Sequence, residues 1–268
     1  MTEMPDKMTF VRFARAENAA DVRYGWMDGE VLCALEGSPF GDFTRGGAIG
    51  ALADVRLLPP VEPSKIVCIG RNYVAHAQEH GAEVPALPLI FLKPPSALLP
   101  HGGVIRLPAM SAQVEHEAEL AVIVGKRARF VSPEEALACV LGYSVANDVT
   151  ARDLQRSDSQ WTRAKGFDTF CPLGPFLVTG LDAADRMIYC EVNGQMRQMA
   201  STRDMVFAVP QLIAYISSVM TLLPGDIILT GTPSGVGLLV AGDEVVVEVE
   251  GIGRLSNTVA AEGADSWG

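Results

Sequence analysis

The stretch VEHEAELAVIVG, Val114–Gly125, sets an acidic side chain at every second place and then runs into Leu120, Ala121, Val122, Ile123 and Val124. That pattern predicts a strand over Glu117–Val124. Side chains two apart on a strand share a face, so Glu115, Glu117 and Glu119 are expected on one face at its start. Neighbouring carboxylates repel each other, and burying them bare is costly. A cation with oxygen ligands removes that cost. A second stretch, YSVANDVTARDLQ (Tyr143–Gln155), ends an apolar segment on Asn147 and Asp148 and can bring a third carboxylate. Carboxylates without Cys or His at ligand spacing suit a hard divalent ion, Mg²⁺ or Mn²⁺. Glu117 and Glu119 lie nearest the apolar run, and Glu115 is expected outside. Taken by itself, Asp148 reads as the N-cap of a helix over the following residues.

Other residues carry weaker signals. His76 and Glu79 fall three apart on a short helix predicted over Asn72–His80. A carboxylate there could raise the imidazole's pKa and fix its tautomer, as a general base requires. His–Glu at this spacing is not specific, and taken alone the pair reads as a polar surface helix. Lys165, in RAKGFDTFCPLGP, could be partly buried and face an anion, or could snorkel to the surface. TGTPSGVG, Thr230–Gly237, lacks a P-loop lysine; its N–H groups and Thr232 could hold a small carboxylate. His101 and His116 show no ligand spacing and read as structural.

The elements that must position these groups are mostly strands. Expected are Thr9–Ala14, a hairpin of Arg23–Met27 and Val31–Leu35 turning at Asp28-Gly29, then Lys65–Gly70, Leu89–Leu92, Gly142–Asn147, Phe176–Val178, Ile188–Val192, Asp226–Thr230, Glu244–Val249 and Arg254–Val259. Helices are expected over Ala48–Ala53, over Val209–Met220, and after Ser132-Pro133-Glu134-Glu135, which has a cap, Pro at the first position and a capping-box Glu. This order is α+β, not a doubly wound sheet. LLPPVEPS, Leu57–Ser64, has three prolines within five residues and reads as a linker, so a small β-rich N-terminal domain over 1–62 is expected before a catalytic domain over 63–268.

Composition bounds the partners. A net charge of −11 argues against nucleic acid or an anionic membrane. The five cysteines are scattered, without CxxC spacing, and read as core residues in a reducing compartment. No signal peptide or membrane span is apparent, so a cytoplasmic protein is expected.

Taken in order, KIVCIGRNYVAHAQEHG, IFLKPPSALLP, VEHEAELAVIVGK, GYSVANDVTARDLQ, TRAKGFDTFCPLGP, VNGQMRQ and LLPGDIILTGTPSGVG resemble the fumarylacetoacetate hydrolase family. The resemblance runs from about Lys65 to the C-terminus. It implies a mixed β-roll, a homodimer, and a divalent ion held by Glu117, Glu119 and Asp148. It implies His76 and Glu79 as a water-activating dyad, Lys165 as the active-site lysine, and Arg71, Tyr73, Lys93, Gln155 and Thr232 as substrate contacts. Fumarylacetoacetate-specific members carry a further acidic ligand upstream of the His, where this chain has Ile69 or Gly70. The expected activity is therefore metal-dependent C–C hydrolysis of a small anionic 2,4-dioxo acid of acylpyruvate or fumarylpyruvate type. The alternative is an oxaloacetate decarboxylase or a 2-hydroxyhepta-2,4-diene-1,7-dioate isomerase/decarboxylase.

Overall fold

Strands dominate the described residues, and the α+β class is what the chain adopts. The structure is a computed structural model that describes residues 7–15, 18–79 and 81–263. One large mixed sheet orders its strands as Phe43–Ala51, Val31–Gly37, Asn18–Asp28, Met8–Arg15, Phe176–Thr179, Val140–Asn147, Ala118–Val124, Ile227–Leu229, Ile66–Gly70 and Leu89–Lys93, with Val55–Leu58 added beside Met8–Arg15. Its one parallel pairing among the described strands joins Ile227–Leu229 to Ile66–Gly70. A second sheet of five strands comprises Gln195–Ser201, Met187–Val192, Glu244–Val249, Gly253–Ala261 and Val104–Leu107.

Ala118–Val124 is buried on both faces, and its alternation decides what each face meets. Leu120, Val122 and Val124 join the larger apolar cluster with residues of the five-stranded sheet, such as Ile188, Val247 and Leu255. Ala121 and Ile123 face a smaller cluster built on Ile66, Cys68, Cys171 and Leu173. Four of the five cysteines are buried and all are free thiols, as expected of small core residues. Burial pushes the Cys171 thiol up to about 12.

The helix Val209–Val219 buries Val209, Leu212, Ile213 and Ile216, the stripe its sequence spacing predicts. Ser132 precedes Pro133–Ala136 as N-cap and donates its N–H to Glu135 Oε2 at 3.2 Å, after which Leu137–Cys139 tightens into a 3₁₀ turn. No helix of the described residues is long and apolar enough to cross a membrane.

Two local expectations are overturned. Ala48–Ala53 is not a helix: Phe43–Ala51 is a strand paired with Val31–Gly37, and only Leu52–Asp54 turns in 3₁₀ form. Alanine favours helix, but cross-strand pairing to a neighbour overrides that preference in so short a segment. The hairpin turn lies one residue later than predicted, at Gly29-Glu30, because Asp28 still pairs with Val31. Gly29 takes the left-handed φ of +59° there, so the glycine sets the turn's position.

Asp226 ties the start of the larger sheet to its centre. Its fully buried carboxylate accepts from Ser64 N, Ser64 Oγ, Lys65 N and Leu223 N, and pairs with Lys65 Nζ. Asp226→Ala would strand these donors. The expected cost is about 3–5 kcal/mol in urea unfolding, the scale for breaking a buried ion pair. A loss below about 1 kcal/mol would show that water replaces the carboxylate.

Candidate active site

The chain does not pass through Glu117 as one strand. Val114–His116 pairs with Thr150–Ala151 and Gly237–Leu238 in a small sheet, whereas Ala118–Val124 belongs to the large one. Glu117 is the joint. Its N–H donates to Asn147 Oδ1 at 2.9 Å, and its carbonyl accepts from Asp148 N at 2.8 Å. These two bonds bring the acidic pair and the Asn-Asp pair together. Oxygens of Glu117, Glu119 and Asp148 all lie within 4.8 Å of one another, and all three residues are buried.

Asp148 is therefore no helix cap; the next helix is Arg152–Ser157, and Ala151 precedes it as N-cap. Glu115 does not sit outside. It is 6% exposed and accepts from Arg152 Nε at 2.7 Å and Gln113 Nε2 at 2.6 Å. The break at Glu117 takes Glu115 off the carboxylate face and leaves it to Arg152.

Cations surround the triad unevenly. Glu117 accepts from Arg152 Nη2 at 2.5 Å, Thr150 Oγ1 at 3.1 Å and Lys165 Nζ at 2.9 Å. Asp148 accepts from Lys165 at 2.7 Å and from Lys93 through its other oxygen. Among the described residues Glu119 accepts only the backbone N–H of Gly231, at 2.7 Å. Burial works to raise the pKa of Glu117, but Lys165 and Arg152 outweigh it and hold it well below the usual range. Burial, then the charges of Asp148 and Glu117, push Glu119 well above its range. Lys165 is desolvated, yet Asp148 and Glu117 hold its pKa up. A set of buried oxygen donors, one of them unable to ionise easily beside the others, fits a hard divalent cation that would relieve that repulsion.

A cavity of about 280 Å³ opens on this cluster, walled by Glu117, Glu119, Lys165, His76, Arg71, Arg152, Gln155 and Thr232 among others. His76 comes from the helix Val74–Glu79, which starts two residues later than predicted; the predicted last residue, His80, is outside the described residues. His76 is 6% exposed, and its Nδ1 lies 3.5 Å from Glu79 Oε2. Glu79 in turn accepts from Gly235 N at 3.1 and 3.2 Å. Gly235 has φ +97°, and a Cβ there would sit 2.1 Å from Arg197 O, so the glycine-rich loop needs that residue to reach Glu79. Lys165 is delivered by the four-residue helix Thr162–Lys165 and lies 5.0 Å from the Phe91 ring.

Tyr73, Glu79, Lys93 and Asp148 are not among the residues that line the cavity. Lys93 is 1% exposed and fastens Asp148, also donating to Val149 O at 3.0 Å. Tyr73 is buried, and its hydroxyl finds no hydrogen-bond partner among the described residues. Thr232 lines the wall, but its hydroxyl donates to Ala118 O at 2.9 Å and accepts from Gln198 Nε2 at 2.8 Å. Arg152 belongs to the site and was not singled out from the sequence. It bridges Glu115 and Glu117 and donates to Gln155 Oε1 at 2.6 Å. The signal was its place in TARD, beside Asp148: an Arg in a segment bound for the interior needs carboxylates.

His116 supports the same floor from behind. The Gln198 amide is oriented by donating to Thr232 Oγ1 and Pro233 O, so its Oε1 accepts from Ala118 N and from His116 Nδ1, both at 3.0 Å. His116 is thus the Nδ1–H tautomer, and burial lowers its pKa. Its unfolded form takes a proton more readily than its folded form. Its contribution to stability is present above the unfolded pKa of about 6.5 and is lost as pH falls below it. The melting temperature should drop between pH 7.5 and 5.5, and His116→Gln should flatten that slope. An unchanged slope in the variant would count against His116.

Residues 65–260 match the fumarylacetoacetate (FAA) hydrolase C-terminal family. The chain belongs to the fumarylacetoacetate hydrolase family. Residues 8–60 match a second family, described as Rv2993c-like, N-terminal. A 2-hydroxyhepta-2,4-diene-1,7-dioate isomerase from Mycobacterium marinum superposes with a TM-score of 0.87 at 45% identity, covering 96% of this chain and 99% of that one. Human oxaloacetate tautomerase FAHD2A is 45% identical over 220 residues, 77% of this chain and 70% of that protein. A fumarylpyruvate hydrolase from Pseudomonas aeruginosa, solved with Mn²⁺ and pyruvate, aligns with a TM-score of 0.70 at 31% identity, covering 76% of this chain and 91% of that one. Members of this family are enzymes, and the buried acidic triad is a possible metal site in this one. At the position where the sequence pointed to a missing extra acid, Ile69 is buried and Gly70 borders the cavity.

Proposed function

We propose that the chain is a divalent-metal-dependent hydrolase that cleaves a C–C bond in a small 2,4-dioxo acid of acylpyruvate or fumarylpyruvate type. The observation that carries this reading is one small cavity lined by Glu117, Glu119, Lys165 and His76, with Asp148 completing the carboxylate triad and Glu79 paired with His76 outside the lining. Mg²⁺ or Mn²⁺ held by Glu117, Glu119 and Asp148 would supply Lewis acidity toward the carboxylate and keto oxygens of the 2-oxoacid unit. Lys165 adds positive charge where the pyruvate half gains electron density. His76 takes a proton from water, whose oxygen adds to the distal carbonyl carbon. The bond between that carbon and the methylene carbon breaks, and the methylene carbon, now carrying the electron pair, takes a proton back. The products are pyruvate and the acid of the acyl group. Glu79, held by Gly235 N, keeps the imidazole oriented. The Pseudomonas hydrolase solved with Mn²⁺ and pyruvate supports the reading.

A second reading has its own support. The isomerase and the tautomerase are more similar to this chain than the hydrolase is. Without water attack, His76 would move a proton between the methylene carbon and an oxygen, giving isomerisation or tautomerisation; release of CO₂ from oxaloacetate would need no water either. Incubating the Mg²⁺-loaded protein with acetylpyruvate, fumarylpyruvate and oxaloacetate separates the readings. Pyruvate release from either of the first two supports hydrolysis. Enol–keto interconversion or CO₂ release from oxaloacetate, without hydrolysis of the other two, supports the second. The homodimer is part of the proposal, and sedimentation would check it.

A further inference from the structure

The strand that carries Glu119 near its start ends, roughly 20 Å further on, at a surface the active site does not use. Ala118–Val124 runs there into Gly125-Lys126-Arg127-Ala128-Arg129-Phe130. Two other segments clamp this one. Gly125 N and Lys126 N donate to Cys139 O at 2.7 and 3.2 Å, at the end of the turn Leu137–Cys139. Ala128 N donates to Leu222 O and Phe130 N to Ser217 O, both at 3.0 Å, and Arg129 Nη1 donates to Ser217 O at 2.5 Å. Four large apolar side chains on these three adjoining segments are exposed: Phe130, Leu137, Val219 and Leu223.

Phe130 is the costly one. It is 69% exposed and has φ +56°, the left-handed region that a bulky side chain disfavours and that Asn or Gly would fill with less strain. The Arg129 guanidinium lies 3.5 Å from the centre of its ring and covers it on one side. A strained backbone that turns an aromatic ring to water gains nothing for this chain alone, and clustered exposed apolar side chains mark a contact surface. The charges nearby are of both signs and unmatched. Lys126, Arg127 and Arg129 stand on the segment itself, and Glu134 and Glu135 on the helix Pro133–Ala136 just after it. None of the five makes an ion pair among the described residues. The whole chain carries −11, so two copies repel over most of their surface. Here cations outnumber carboxylates, and two copies can approach. A patch with unpaired charges of both signs is also self-complementary: across a twofold axis, the cations of one copy meet the glutamates of the other around an apolar centre.

We propose that this face, Lys126–Phe130 with the helix Pro133–Ala136 and the apolar side chains beside them, is the twofold contact between two copies of the chain. The assignment rests on the homodimer proposed above and is independent of the reaction.

Charge reversal, read by sedimentation equilibrium of the full chain, tests it. The wild type should be a dimer. Lys126→Glu with Arg127→Glu sets carboxylates against carboxylates across the axis, and Glu134→Lys with Glu135→Lys sets cations against cations. Each double variant alone should dimerise about 100-fold more weakly, the scale of like charges brought together at an interface. Mixed in equal amounts, the two should form a heterodimer of near wild-type affinity, because each reversed set then faces its complement. That heterodimer would also show that both variants are folded. Phe130→Asn, which relieves the left-handed strain, should weaken the dimer by about 10–100-fold, the worth of a buried aromatic anchor. A wild-type dimer whose affinity survives these substitutions, or reversed variants that stay apart when mixed, overturns the assignment of this face and leaves the homodimer standing. A monomeric wild type overturns both, and neither result touches the proposed reaction.

Discussion

Glu119→Gln is expected to reduce turnover to the level of the chelator-treated protein while the fold survives. The reasoning runs from its surroundings. Among the described residues Glu117 and Asp148 each have two cationic partners, but Glu119 has only the Gly231 N–H, which a glutamine oxygen can also accept. Its carboxyl, with pKa raised by burial and by the two neighbouring carboxylates, favours the fold at low pH and works against it as pH rises through its folded pKa. The neutral amide removes that penalty, so the metal-free variant should melt no lower than the metal-free wild type at pH 7.5. The ion loses its one ligand not already held by a lysine. Mn²⁺ at a hundredfold excess over its Kd would stabilise the wild type by about 2.7 kcal/mol. That shift should vanish in the variant. Full turnover in EDTA, or an unchanged Mn²⁺-induced melting shift in Glu119→Gln, would refute the metal site.

The second large effect concerns water activation. His76→Ala should lower acylpyruvate hydrolysis by about 10²–10⁴-fold, the usual worth of a positioned general base. Any oxaloacetate decarboxylation by the same protein should fall less, because no water need be deprotonated. An unchanged melting temperature would show that the variant keeps its fold. Equal losses in the two reactions would remove the distinction and assign His76 to substrate binding or to proton shuttling.

Much of this site could be read from the chain because its chemistry is local. Glu117 and Glu119 announce themselves by burying acid beside five apolar residues, and Asn147-Asp148 ends a strand on the same layer. What escaped the reading was set by distant partners. The alternation from Glu115 to Glu119 gives no hint that the strand breaks at Glu117; the break comes from hydrogen bonds to Asn147 and Asp148, some thirty residues on. Glu115 looked external because its partner, Arg152, lies beyond that same break. The helices carrying Arg152 and Lys165 are six and four residues long, too short for a helical period to show. His76, unremarkable as one half of an i,i+3 pair, gains meaning only because the Gly235 loop and the triad converge on its helix.

The pairing of Met8–Arg15 with Phe176–Thr179, in register from Met8↔Thr179 to Val11↔Phe176, has a consequence for solubility. Phe176–Thr179 lies between Met8–Arg15 and Val140–Asn147, the strand that ends on Asn147. Cutting the chain back to the part that bears the triad would open one whole side of Phe176–Thr179, leaving a row of bare amides and carbonyls beside Leu177 and Val178, both fully buried in the intact chain. An uncovered apolar edge of this kind recruits strands from other molecules. The N-terminal strands thus act as a guard against self-association.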